Sequence, residues 1–324
     1  MADKDIFEQL HPDFVNSFRE YLSSNGINPD APAEDMEELK HRVSITNAFV
    51  SKCMRIVKEI PMGYDNIEEK GAFFKMYNRI WGRCLQLSTI YLYILEDLCK
   101  LMTVIFDEEH IKGYVLAKIM GKGIRTYAEV LTLQKNGFPY GAAALTRNLF
   151  ELMVIMRFIE KRDKAIAKAY FEAAEEPLEQ QRSDGDYIWA KAADCFKDKK
   201  KITFSDIRKE SGLDDPKLIY VYKFLCKFIH ADPLTVNYEM GMDTNDIIIG
   251  GSLMGIDVSG VDAALFTRAM IIDLVEYMKV PEVNIKSLFC AEWCTCLCKE
   301  FNKAAIKSKD VVVNTQKRTI EMQH

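Results

Sequence analysis

The chain has 324 residues, close to half of them apolar, so it can bury a large core as one domain or as two. Its formal charge of −5 lacks the basic excess of a broad nucleic-acid binder, so DNA is not expected as a partner, and only a small local basic site stays open. Its 16 glycines and 9 prolines are few for this length, and long stretches carry neither, which predicts an all-α fold.

The opening MADKDIFEQLHPDF is charged and has no apolar run, so no export signal is expected and the chain reads as cytoplasmic. The longest apolar windows, 85–106 and 247–278, are each broken by charges, so no membrane partner is expected. The nine cysteines are odd in number and scattered, which fits free thiols in a reducing compartment.

In chain order, residues 1–65 read as an N-terminal helical layer. Phe7, Leu10, Phe14, Phe18 and Tyr21 recur at helical spacing, and Pro29 and Pro32 break the chain before a second helix over about 32–60. Residues 66–308 read as the helical bundle. Its first helix covers 70–106 and its second 109–135, where Asn136-Gly137 stops it. Pro139 then opens an apolar helix to Glu160, with a further helix over 164–174. Residues 175–186 read as a polar loop, 187–198 as a short helix, and the run from Lys197 to Lys201 as a solvated basic loop. Thr203 or Ser205 caps FSDIRKES, Gly212 ends it, and Asp215 caps a helix over 216–230. Residues 244–257 fit a short strand, a loop or a frayed helix. Ser259 or Asp262 opens a helix to Met278, Pro281 opens one to Lys307, and 309–324 reads as a flexible tail.

The segment 138–160 is apolar or small on nearly all sides, as a buried helix is. Arg147 and Glu151 nevertheless share one face, with Asn148 beside them. A charged notch in a buried helix needs a partner, so it either closes a structural network or lines a cleft. The helix 216–230 has the same character. Its polar residues include Lys223, Lys227 and His230, spaced i, i+4, i+7 on one face. The dipole at the helix end favours protonated His230, an anion-binding arrangement, while the neighbouring lysines favour the neutral form, which can act as a base. On an amphipathic helix such a stripe is most often the solvent face.

Other constellations carry less. Cys290, Cys294 and Cys298 form one helical stripe from which Cys296 points away, which is the habit of buried small residues and not the paired spacing of a zinc site. Gly121-Lys122-Gly123 lacks the glycine spacing and the hydroxyl residue of a phosphate loop. No metal or cofactor is expected.

The pattern Ala143-Ala144-Leu145-Thr146-Arg147-Asn148-Leu149-Phe150-Glu151, preceded by Gly137 and followed about eighty residues later by Tyr222, Leu225, Cys226 and His230, resembles an uncharacterised family of bacterial helical domains of unknown function. The resemblance covers about 115–235. That family is similar in turn to the HEPN superfamily, and the likeness implies a HEPN-like helical bundle, commonly dimeric, of the kind found in toxins and antiviral defence. Active HEPN members cleave RNA with an arginine and a histidine on one helix. Here Lys223-x6-His230 has the spacing with lysine in place of arginine, and Arg147 lies on another helix.

Two functions follow as expectations. The first is a prokaryotic toxin or antiphage effector acting on RNA or a nucleotide by a metal-independent ribonuclease-like site. In it His230, Arg147 and Glu151 are catalytic, and Lys223, Lys227, Asn148 and Tyr222 hold substrate. His230 moves the proton, an arginine fork or lysine holds the phosphate, and Glu151 orients Arg147. The second is a non-catalytic helical interaction or scaffold protein in which both polar stripes are structural.

Overall fold

The computed structural model describes residues 17–59, 71–105, 110–174, 186–230, 232–233, 251–279 and 281–322, with 30, 32 and 34 left aside. Every regular element among them is helical, and the fold is all-α. Residues 17–24 form α1, followed by α2 (Met36–Glu59), α3 (Gly71–Ile105), α4 (Ile111–Lys135), α5 (Pro139–Glu160) and α6 (Lys164–Glu172). Then come α7 (Phe204–Glu210), α8 (Pro216–Cys226), α9 (Ile256–Met278) and α10 (Pro281–Met322). No helix among the described residues is long and apolar enough to cross a membrane.

The bundle is built around α9. Its residues Ile256, Ala263, Ala264, Met270 and Leu274 are fully buried, because α4, α5 and α10 cover it on three sides. The seam with α10 is close enough to require glycine: a Cβ on Gly260 would stand 2.4 Å from the ring of Phe301. Helix α3 closes the other side against α4 and α10. Three buried donors in this core end on backbone carbonyls. Trp81 Nε1 donates to Leu253 O at 2.9 Å, Trp293 Nε1 to Leu87 O at 3.1 Å and Ser308 Oγ to Leu253 O at 2.7 Å.

Helix α5 is fixed at both ends. At its start Gly137 has φ +78°, which glycine adopts without strain, and Ser252 N donates to Gly137 O at 2.9 Å. Near its end Arg157 reaches Asp273 of α9 through Nε at 2.9 and 3.0 Å and Nη2 at 2.6 Å. Lys112 Nζ donates to the carbonyls of Glu160 and Arg162, both at 2.5 Å, which satisfies acceptors beyond the last turn. The N-terminal helices lie on α10, where Phe18, Phe49 and Phe289 form one aromatic cluster with centroids 5.0 to 6.5 Å apart.

Several expected boundaries differ. The segment 187–198 is two 3₁₀ helices, Ile188–Ala192 and Asp194–Phe196, and not one helix; bonds three residues apart, such as Ala190 N to Tyr187 O, replace the α pattern. Helix α9 begins at Ile256, ahead of Ser259 and Asp262, after Gly255 in the left-handed region. Helix α10 runs to Met322, through the residues assigned above to a tail, since no glycine or proline lies between Pro281 and Met322 to stop it. Residues 1–16, 62–65, 175–185 and 244–250, each given a reading above, lie outside the described residues.

The close approach at Gly260 gives the first prediction. Gly260→Ala forces the buried Phe301 ring aside and destabilises the fold by about 1–3 kcal/mol. Gly121→Ala, whose nearest neighbour is Cys99 Sγ at 3.9 Å, leaves stability unchanged or slightly raised. Urea unfolding of the two variants separates a tight seam from a general intolerance of alanine.

Candidate functional site

The site starts with a short helix set by its cap. Thr203 N donates to Asp206 Oδ2 at 2.8 Å and the Thr203 hydroxyl donates to the same oxygen at 2.7 Å. Lys199 Nζ adds an ion pair at 2.5 Å. Burial raises the Asp206 carboxyl, but these bonds outweigh it and hold the group down to about 2. The cap places Phe204 as the first residue of α7, and Phe204 packs against Tyr222 at 5.1 Å. Asp215 starts α8, accepting from Lys217 N at 2.7 Å with Pro216 in the first turn.

These two starts bring α8 against α5 with Tyr222 between aromatic rings. Phe150 stacks on Tyr222 at 5.0 Å, and Phe150 itself is fully buried. Further along, Tyr140 of α5 meets Phe228 at 5.5 Å, so the segment after Tyr222 runs toward the start of α5.

In this apolar seam sits the charged notch of α5. Arg147 Nη2 pairs with Glu151 Oε1 at 2.7 Å, and the Tyr222 hydroxyl donates to that same oxygen at 2.9 Å. Arg147 Nη2 also donates to the Tyr222 hydroxyl at 3.3 Å, and the guanidinium lies 5.5 Å from the Tyr222 ring centre. The three groups therefore form a closed triangle in which one hydroxyl from α8 bridges a cation and an anion of α5. Burial and the charge of Glu151 push the Tyr222 hydroxyl well above its ordinary range. Burial works against the Arg147 charge, but Tyr222 and Glu151 outweigh it and the guanidinium is held more firmly protonated. The side chains of Arg147 and Glu151 remain 24% and 22% exposed, and Arg147 Nε is buried with no hydrogen-bond partner.

The other sequence-derived candidates are not members of this triangle. Asn148 is exposed, one residue round the helix from Arg147. Lys223 is exposed on the far side of α8 from the aromatic seam. Lys227 pairs with Asp232 at 3.1 Å. His230 is exposed, beyond the end of α8. The expected helix to His230 ends at Cys226. Lys227, Phe228 and Ile229 donate to the carbonyls of Phe224, Leu225 and Cys226, the tighter i→i+3 pattern, so the α-helix does not continue to His230. The i, i+4, i+7 stripe is therefore not one continuous α-helical face.

Sequence reading missed Phe204 and Tyr187, and gave Phe150 no role beyond its place in the family pattern. Phe204 walls Tyr222, and the Tyr187 hydroxyl is pushed up by burial and by the charge of Glu151. Phe204 stands at a helix start and Tyr187 before a 3₁₀ turn, so neither belongs to a periodic pattern that would single it out. The cysteine stripe is core: Cys290 and Cys294 are buried and Cys298 partly so. Among the described residues no group of three or more His, Cys, Asp or Glu side chains is placed to hold a metal ion.

Residues 113–247 match the model of a family of unknown function, DUF5677. The matched span contains both motif helices, α5 with Arg147 and Glu151 and α8 with Tyr222, as the resemblance implied. No curated protein and no solved structure matches the chain.

The cap of α7 gives a pH prediction. The Asp206 carboxyl is lowered in the folded chain, from an ordinary 3.8 to about 2, so the folded state binds fewer protons there than the unfolded state. Its stabilisation is present above pH 4 or so and is lost as pH falls toward about 2. Asp206→Asn removes this dependence. Urea unfolding at a series of acid pH values is expected to show wild type losing more stability across that window than the variant.

Proposed function

We propose that this chain is a non-catalytic helical interaction module in which the Arg147–Glu151–Tyr222 triangle fixes α8 on α5 and so presents the outer face of α8 to a partner. The observation that carries this reading is the closure of the triangle. The arginine fork and the carboxylate are already paired with each other and with the tyrosine, while His230 is exposed past the end of α8. A general acid or base works on atoms within hydrogen-bond reach, and the triangle offers its shared carboxylate oxygen to its own members first.

The reading as a cytoplasmic, HEPN-like toxin or antiphage effector acting on RNA or a nucleotide, paired as a homodimer in the manner of that superfamily, is the second. Two features favour it: the unpartnered Arg147 Nε and the partial exposure of Arg147 and Glu151. In that mechanism a phosphate takes Arg147 from Glu151, Tyr222 and Asn148 hold the strand with Lys223 and Lys227, and His230 moves the proton without a metal.

Turnover separates the two. Purified wild type, Arg147→Ala and His230→Ala are incubated with mixed RNA and with nucleotides, and products are resolved by electrophoresis and chromatography. The module reading expects the same background from all three. Cleavage by wild type that both substitutions abolish would overturn it in favour of the effector.

A further inference from the structure

We infer that the outward face of α8 is a binding strip for single-stranded nucleic acid, with Tyr220 as the platform on which a base stacks and Lys217 and Lys223 as its phosphate contacts. This goes beyond the module reading by naming the partner, and it rests on α8 being held as described above.

Among the described residues Tyr220 is the most exposed of the large apolar side chains, at 71%. Its exposure is unlike that of the other rings of its segment. Tyr222 packs between Phe150 and Phe204, Phe224 meets Phe228 at 5.2 Å, and Phe228 meets Tyr140. Among the described residues no ring, hydrogen bond or ion pair holds the Tyr220 side chain. A tyrosine left in water on a helix otherwise rich in packed rings offers a free π-face.

What surrounds that ring is cationic. Lys217 and Lys223 are exposed and lie three residues before and three after it, the spacing that puts side chains side by side on a helix. Neither ammonium has an ion pair among the described residues. The acids at the start of the helix are engaged elsewhere: Asp215 caps α8, and Asp214 pairs with Arg208 at 3.1 Å. Lys227 shares the same side of the helix, and its pair with Asp232 leaves that end close to neutral. His230 follows, exposed.

The chemistry of an aromatic face flanked by ammonium groups selects the partner. Cations track a phosphate backbone, and an aromatic ring stacks an unpaired base whatever its identity. A duplex keeps its bases stacked on one another and leaves the ring without a partner. A protein interface would instead centre on an apolar patch depleted of lysine. The net charge of −5 keeps the rest of the surface from competing as a general polyanion site, so binding is local.

The test is equilibrium binding of the full chain to fluorescein-labelled oligonucleotides, followed by anisotropy, with gels to confirm that the strands stay intact. Single-stranded RNA and DNA of one mixed sequence, the RNA as a duplex, and inorganic polyphosphate are the probes. Wild type is expected to bind a single strand more tightly than duplex or polyphosphate, and the RNA and DNA arms show which sugar is preferred. Tyr220→Ala weakens single-strand binding about tenfold and Tyr220→Phe preserves it, while polyphosphate is insensitive to both. Lys217→Glu and Lys223→Glu weaken every anionic probe, and each lowers the salt slope by about 0.7 for a single strand. All three positions chosen are solvent-facing, and the melting curves of the four variants should overlay that of wild type. Absence of single-strand binding, or equal affinity of wild type and Tyr220→Ala, overturns the proposal. His230-dependent cleavage of RNA in the same tubes would instead overturn the non-catalytic reading and leave the strip to be judged by Tyr220 alone.

Discussion

The Tyr222 hydroxyl crosses the seam between α8 and α5 to meet both charges of the α5 notch, and the placement of the outer surface depends on it. It donates to Glu151 and accepts from Arg147, so the charged notch of a mostly buried helix is satisfied by a neutral group from its neighbour. A buried or half-buried ion pair alone is a weak source of stability, since desolvation offsets much of the attraction. Its value is directional. Phe150 and Phe204 give α8 apolar contact that tolerates sliding along the seam, while the triangle fixes one register.

That register is inherited from deeper layers. Helix α5 is pinned at Gly137 by the contact with Ser252 and near its end by Arg157 on Asp273, and both partners lie in or just before α9. Helix α9 is in turn held by the glycine contact with Phe301 and by α4. Helix α8 is thus the outermost layer, reached through α5 from a core that carries no candidate chemistry. The charges that face solvent there, Lys217, Lys223 and His230, can meet a partner without disturbing the core.

Much of this was legible in the residues. Sparse glycine and proline gave the all-α class. Asn136-Gly137, Pro139, Thr203 and Asp215 marked helix ends that the structure keeps, because caps and positive φ act locally. The need of Arg147 and Glu151 for a partner was also visible, since their spacing put both on one face. The identity of that partner was not. Tyr222 stands seventy-odd residues later, and which of its helix's faces meets α5 is decided by Phe150 and Phe204 packing, a tertiary fact. The end of α8 was misjudged for a related reason. The sequence from Lys227 to His230 has no breaker until Asp232-Pro233, and the tightening to i→i+3 bonds is a local choice that helix propensity does not encode. Tyr220 gave no signal of its own, because an exposed and a buried tyrosine read alike in one sequence.

A double-mutant cycle on Arg147 and Tyr222 measures the contact on which the placement of α8 rests. Urea unfolding of wild type, Arg147→Ala, Tyr222→Phe and the double variant yields the interaction energy between the two side chains. Coupling of about 1 kcal/mol or more is expected, because either substitution alone breaks the triangle and leaves Glu151 with one of its two partners. Effects that add to within about 0.3 kcal/mol would contradict it and leave the aromatic packing as the sole tie between the two helices.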